Sequence, residues 1–301
     1  MKTRVIMHAD DYGACAEVSA HILDCIRVGK LYSLSILPNS PYLFESLRLL
    51  KKEGGNIHYS IHFNIAEGPA LSLKKAALLT DEKGMFNISF FKVLLCSLTP
   101  KRKALKSALK AELSAQLKVF LDALESAGIE YDRLRIDSHQ HYHMIPLVLE
   151  TILETARESG REIEFIRIPS ESLIPYLRHP KVLFSCRFIN LVKNLVLSVL
   201  SVADRKMLLP FRGKTAVFTG IMMSGHMDKK RVTGLLPDFC RIAGKRGLPL
   251  EILSHPGGVD RQNTGTLMDV DNKGCLDFYT SKGRRIEKQM IMDLKLPHSK
   301  Y

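Results

Sequence analysis

Two adjacent carboxylates, Asp10 and Asp11, stand directly after a short apolar run, and a dense series, Asp137-Ser138-His139-Gln140-His141-Tyr142-His143, follows another. His62 sits at the end of a third such run, Arg167 near the end of a further one, and His255 follows the last. Imidazoles and carboxylates are the usual protein ligands of catalytic divalent ions and the usual proton carriers near neutral pH. Alternate residues of an extended segment share a face, so His139, His141 and His143 in an extended stretch would turn two or three imidazoles toward one point. Asp137 is placed to orient one of them by hydrogen bonding, as metal-binding histidines require. Neighbouring residues at a strand end point in different directions, so one carboxylate of the Asp10-Asp11 pair can hold a metal while the other stays free as a base. Taken alone, that pair would serve equally as a helix N-cap, and a lone His62 is more often structural. His255-Pro256-Gly257-Gly258 after a strand suits a general acid, and Arg167 suits either a carboxylate clamp or a plain structural arginine. One Asp and two His leave coordination positions open for water and substrate, which describes a mononuclear divalent-metal hydrolase. Zinc, magnesium, manganese and cobalt are all compatible with such ligands, and two imidazoles favour a transition metal.

The elements that must position these residues alternate along the chain. Strands are expected at 4–8, 32–37, 57–63, 133–136, 163–168, 216–218 and 250–253. Helices are expected at 15–28, 42–52, 101–127, 146–160, 188–202, 229–244 and 281–294. The leucines at 105, 109, 113, 117, 121 and 124 form a stripe for core packing. This alternation predicts an α/β fold with parallel strands; in such folds, barrels above all, the loops at the carboxyl ends of the strands converge on one face, and polar clusters stand at five strand ends here. The chain reads as one domain, 1–301, with 64–100 and 170–235 as probable insertions around that face; 64–100 reads as a long loop. The apolar face of the 188–202 helix is assigned to the core, with a groove or a homodimer contact as the alternatives.

Composition narrows the classes. The chain has 301 residues, 46% hydrophobic and 25% charged, which excludes disordered and fibrous proteins. Forty-four basic against 31 acidic side chains give a net charge of +13. The basic residues are scattered through helices, with no P-loop, no RNA-binding motif and no Trp, so no nucleic acid partner is expected. The apolar run from Leu195 to Ala203 is too short to span a bilayer, and MKTRVIMHADD does not read as a signal peptide. Six cysteines without a CxxC pair point to a reducing, cytoplasmic location.

Four stretches carry a family resemblance: His-Ala-Asp10-Asp11-Tyr-Gly13, Ile61-His62-Phe63, Asp137-Ser138-His139-Gln-His141-Tyr-His143-Met-Ile-Pro146, and Leu250-Glu-Ile-Leu-Ser-His255-Pro256-Gly257. Together they resemble the YdjC family of carbohydrate deacetylases, which includes chitooligosaccharide deacetylases and a hopanoid-biosynthesis-associated branch. Tyr12 stands where the family more often has Phe. The resemblance implies a distorted, TIM-barrel-like β/α barrel and removal of acetyl groups from N-acetylated sugars. It implies one divalent metal per chain held by Asp11, His62 and His139, with Asp10 as base. His255 is then the acid that protonates the departing amine, and Asp137, His141, His143 and Arg167 support the site or touch substrate. Two rival readings remain: a two-metal phosphoesterase or amidohydrolase-type barrel, and a non-catalytic glycan-binding relative.

Overall fold

The computed structural model describes residues 3–296, so much of the polar tail expected after Leu294 lies outside the described residues. Seven strands form one sheet: β1 Val5–Tyr12, β2 Ser33–Ile36, β3 His58–Phe63, β4 Leu134–Ser138, β5 Ile163–Ile166, β6 Val217–Thr219 and β7 Leu250–Ser254. Their order is β5-β4-β3-β2-β1-β7-β6, and every neighbouring pair is parallel. The edges β5 and β6 meet through a hydrogen bond from Ile166 N–H to Lys214 O and a parallel bridge between Glu171 and Phe218. The sheet therefore curls into an incompletely closed barrel, in agreement with the parallel α/β fold expected from the alternation of elements and with the distorted barrel that the resemblance implies.

Each crossover is helical because its apolar residues recur at the helical period and must be covered by the sheet. Helix Ala16–Arg27 buries Val18, Ile22 and Cys25, and Cys15 caps its first turn by accepting from Val18 N–H. Helix Arg102–Ser126 buries Leu105, Leu109, Leu113, Leu117 and Leu124, each contributing roughly 1.5–3 kcal/mol of burial. The same helix buries two polar residues for a different purpose. Glu112 accepts from Leu71 N–H and Ser72 N–H at 3.1 and 2.8 Å. The Gln116 side chain accepts from Asn64 N–H at 2.9 Å and donates to Asn64 O. The helix thus grips the segment after β3, which carries Glu67.

Two sequence expectations need correction. Residues 64–100 contain a helix, Phe90–Ser97, begun by a Ser89 side-chain cap. The strand expected at 216–218 is β6 and the helix expected at 188–202 is Phe188–Ala203; the helices Ile174–Arg178, Pro180–Leu183 and Arg205–Leu208 lie beside them in the same stretch. The apolar face of Phe188–Ala203 is not core: Phe188, Leu195, Val199 and Val202 are exposed, while Asn190, Asn194, Leu197 and Leu200 are buried.

Candidate metal centre and active site

The site sits at the carboxyl ends of the strands, and the backbone of β1 explains how it forms. Successive strand residues face opposite sides, so a regular strand would separate Asp10 from Asp11. The ladder instead slips between Ala9 and Tyr12, and Asp11 adopts φ 68°, the left-handed region that non-glycine residues rarely occupy. Both carboxylates then approach one imidazole: His62 Nε2 lies 3.8 Å from Asp10 Oδ2 and 3.4 Å from Asp11 Oδ1. Backbone strain of this kind is typical of functional positions.

The histidine series is not extended. Residues 139–144 form a 3₁₀ turn in which Gln140 and His141 have φ 50° and 61°. The turn sends its three imidazoles to different places. His139 goes to the carboxylates, with Nδ1 2.9 Å from Asp11 Oδ1. His141 lines the pocket, edge-on to Phe218, and its Nδ1 has no partner. His143 is a brace: Ser138 Oγ lies 2.7 Å from its Nδ1, and its Nε2–H donates to Arg167 O at 3.0 Å. Burial pushes His143 down to about 4, and burial together with Arg167 pushes His141 well down as well, so both stay neutral.

Asp11, His62 and His139 each offer a ligand atom, all within 4.8 Å of one another. The far nitrogen of each imidazole faces another carboxylate. His62 Nδ1 is 2.6 Å from Asp137 Oδ1, and His139 Nε2 is 3.2 Å from Glu67 Oε2. This leaves His62 Nε2, His139 Nδ1 and Asp11 Oδ1 facing one another. Burial disfavours charge on both rings, yet Asp10 and Asp137 bring His62 up to about 9, and Glu67 and Asp11 raise His139 well above its ordinary range. Such a centre favours positive charge, and a divalent ion would replace the two protons. The second Asp11 oxygen, Oδ2, is buried without a hydrogen-bond partner. The donor set and its electrostatics therefore fit a metal.

A second group, His8, Asp10 and Asp137, has comparable spacing, but its cation is already present. The fully buried Arg167 reaches Asp10 through two hydrogen bonds of 2.9 and 3.0 Å, Glu251 at 2.8 Å and Asp137 at 3.2 Å. Both ring nitrogens of His8 lie within 2.8 Å of serine hydroxyls, those of Ser33 and Ser35. A second metal would have to displace Arg167, so this geometry suits one ion. Asp10 is accordingly not free. Burial would raise its carboxyl, but Arg167, then His62 and His8, hold it well below the usual carboxylate range.

His255 follows β7, the strand paired with β1, and lines the same pocket as Asp10. Its backbone N–H donates to Glu287 at 2.7 Å, its Nδ1 lies 3.6 Å from the same carboxylate, and its ring meets Phe278 edge-on. Gly257 holds the turn at φ 87°, where a side chain would run into His21. A cavity of about 430 Å³ joins Asp10, His62, His139, His141 and His255. Gln140 donates to Glu67 at 2.9 Å and lines both this cavity and a more open cleft of about 590 Å³.

Sequence reasoning passed over Glu67, Glu251 and Glu287. Glu251 had a signal, being the one charge inside an otherwise apolar strand; Glu67 and Glu287 lie among ordinary loop and helix polarity and had none.

The geometry is that of an α/β barrel with an active-site face at its strand ends. A similar fold is found in the crystal structure of an Enterococcus faecalis V583 protein described as a candidate for cellobiose-phosphate cleavage. Its TM-score is 0.59 at 16% identity, over 95% of this chain and 93% of that one. The family model for YdjC-like proteins matches residues 4–297, and the chain belongs to that family. Among its relatives, the mouse protein named carbohydrate deacetylase is 25% identical, over 85% of this chain and 78% of the mouse chain. The human protein of the same name is 26% identical over 88% and 78%. The chitooligosaccharide deacetylase of Yersinia enterocolitica is 24% identical over 68% and 78%.

Proposed function

We propose that this protein is a metal-dependent hydrolase that removes N-acetyl groups from a carbohydrate, holding one divalent ion with Asp11, His62 and His139. The observation that carries the reading is the convergence of His62 Nε2 and His139 Nδ1 on Asp11 Oδ1, at 3.4 and 2.9 Å, beside an arginine-held Asp10. Two imidazole donors favour zinc, cobalt or manganese over magnesium. When bound, the ion supplies polarisation of the acetamide carbonyl and acidification of water.

The chain's own groups do the rest. Asp10 accepts the proton of the attacking water, and Arg167 keeps it ionised and aimed. His255 lines the same pocket and protonates the amine nitrogen as the C–N bond breaks, with Glu287 beside its Nδ1. The neutral His141 lines the pocket beside the site. The products are acetate and a free amino sugar. Six free cysteines fit a cytoplasmic location.

The test is acetate release from N-acetylglucosamine di- and trisaccharides and N-acetylated glycolipids, before and after chelation. Acetate and free amine should appear one for one, vanish on chelation and return with a single divalent ion. Silence across all of these substrates with every metal tried would overturn the reading.

A further inference from the structure

Helix Lys282–Asp293 lies outside the strand-end site, yet it buries two charged side chains near its start, Arg284 and Glu287. The helix packs on helices Ala16–Arg27 and Lys229–Arg246, with Met290 and Ile291 buried. Those apolar contacts suffice to hold it. A buried ion pair adds little to stability over apolar residues of similar size, so its presence asks for another reason.

Both oxygens of Glu287 are turned to the active-site face. Oε2 accepts from the backbone N–H of His255 at 2.7 Å and lies 3.6 Å from Nδ1 of the same residue. Oε1 accepts from Gly225 N–H at 2.9 Å and from Arg284 Nη2 at 2.8 Å. Gly225 directly follows Ser224, which lines the pocket together with Gly220, Ile221 and His255. One carboxylate therefore fastens two segments of the pocket to one helix. The approach is close enough that a side chain on Gly283 would strike the backbone of Gly225.

Arg284 completes the arrangement. Its guanidinium lies over the Phe278 ring, 4.2 Å from the centroid, and the His255 ring meets the same phenyl group edge-on at 5.2 Å. Its backbone carbonyl accepts from Gly257 N–H at 2.9 Å, two residues beyond His255. Nε and Nη1 of Arg284 are buried without a hydrogen-bond partner, so the guanidinium is committed to Glu287. Burial would raise the Glu287 carboxyl, but Arg284, then His255, bring it below its ordinary value, and it stays ionised.

We propose that Glu287 and Arg284 are positioning residues for His255: they hold its ring with Nδ1–H turned to Glu287 and leave Nε2 as the proton donor to the pocket. The acid role in this inference rests on the deacetylase reading; the orientation of the ring does not. At 3.6 Å, Nδ1 and Oε2 are beyond hydrogen-bond length, and such contacts tighten when substrate binds. As the C–N bond breaks, its electron pair goes to nitrogen, which takes the proton of His255 Nε2. The ring is left neutral with its remaining proton on Nδ1, and Glu287 keeps its charge throughout. A carboxylate that fixes the tautomer of a catalytic imidazole acts in this way.

The zinc-loaded full chain is compared with E287Q, R284M/E287Q and H255A for acetate release from the N-acetylglucosamine trisaccharide. R284M/E287Q removes both charges, so neither is left buried and unpaired if E287Q folds poorly. E287Q and R284M/E287Q should keep the metal and lower kcat about tenfold or more, within the roughly 10²–10⁴ that a general acid supplies, while KM moves less than about twofold. E287Q placed in the H255A background should cost less than about twofold further, because the carboxylate acts through that ring. Proton–nitrogen correlation NMR of the unaltered protein, with His255 assigned from H255A, should find a proton on Nδ1. A neutral ring protonated only on Nε2 would overturn the orientation. Near-normal turnover by E287Q, or an equal cost in H255A and alone, would overturn the positioning role and spare the deacetylase reading. No acetate from any sugar with any metal would remove that reading and the acid role with it, and the NMR spectrum would still decide the orientation.

Discussion

On one side of the pocket, Arg167 and the carboxylates of Asp10, Asp137 and Glu251 are buried at strand ends, each held by a defined partner. On the other side, Ile189, Val192 and Val196 belong to a helix whose outer face is apolar and bare. The first wall is rigid because a buried charge that loses its partner is strongly destabilising, which leaves each side chain a single arrangement. The second is held by core contacts along one face of its helix. The difference is one of chemistry: the charged wall is the side on which the proposed reaction is placed, and the apolar wall offers surface without ionisable partners at Ile189, Val192 and Val196.

Breaking the charged wall should have the largest effects. His139→Ala removes a ligand, and acetate release should fall by about four orders of magnitude or more, with metal content near zero by elemental analysis. Asp10→Asn should retain the metal while the rate falls by about 10²–10⁴, the usual share of a general base. Near-normal turnover by that variant would transfer the base role to another group. Glu67→Gln keeps the shape but weakens the acceptor facing His139 Nε2; metal affinity by competition titration should drop about 10–100-fold.

The smallest effect probes the apolar wall. Asp204 ends helix Phe188–Ala203 with both carboxylate oxygens unpartnered, and burial pushes it up to about 7. A carboxyl raised in the folded state binds its proton more tightly there than in the unfolded chain. Its contribution is therefore complete below about pH 4 and is lost as pH rises to about 7. Urea unfolding should find Asp204→Asn close to the unaltered protein at pH 4.5 and more stable at pH 8. After allowance for solvent screening the gain should be about 1–2 kcal/mol. Equal stabilities at both pH values would show that Asp204 ionises without cost.

The two walls also differ in how far they can be read from residues alone. Strand alternation and strand-end chemistry pointed to a parallel α/β fold and to Asp and His groups at its strand ends, and the family resemblance singled out Asp11, His62 and His139, which the structure brings within 4.8 Å of one another. Those signals are local: a residue type and its distance from an apolar run. The histidine turn was misread as extended because left-handed backbone at Gln140 and His141 has no marker when the residues are not glycine. Glu67 was invisible because its position depends on Glu112 and Gln116, more than forty residues along the chain. The outer face of Phe188–Ala203 was assigned to the core because an apolar stripe looks the same in a sequence whether it is buried or bare. Arg167 stood between two readings until burial and its three carboxylates placed it beneath Asp10.

The central claim is one metal ion among Asp11 Oδ1, His62 Nε2 and His139 Nδ1. Anomalous diffraction at the zinc edge from crystals grown with zinc tests it most directly. The account predicts a single strong peak at roughly 2.0–2.2 Å from all three atoms, with Arg167 still on Asp10. A peak bound elsewhere, or a second one among His8, Asp10 and Asp137 with Arg167 displaced, would contradict it.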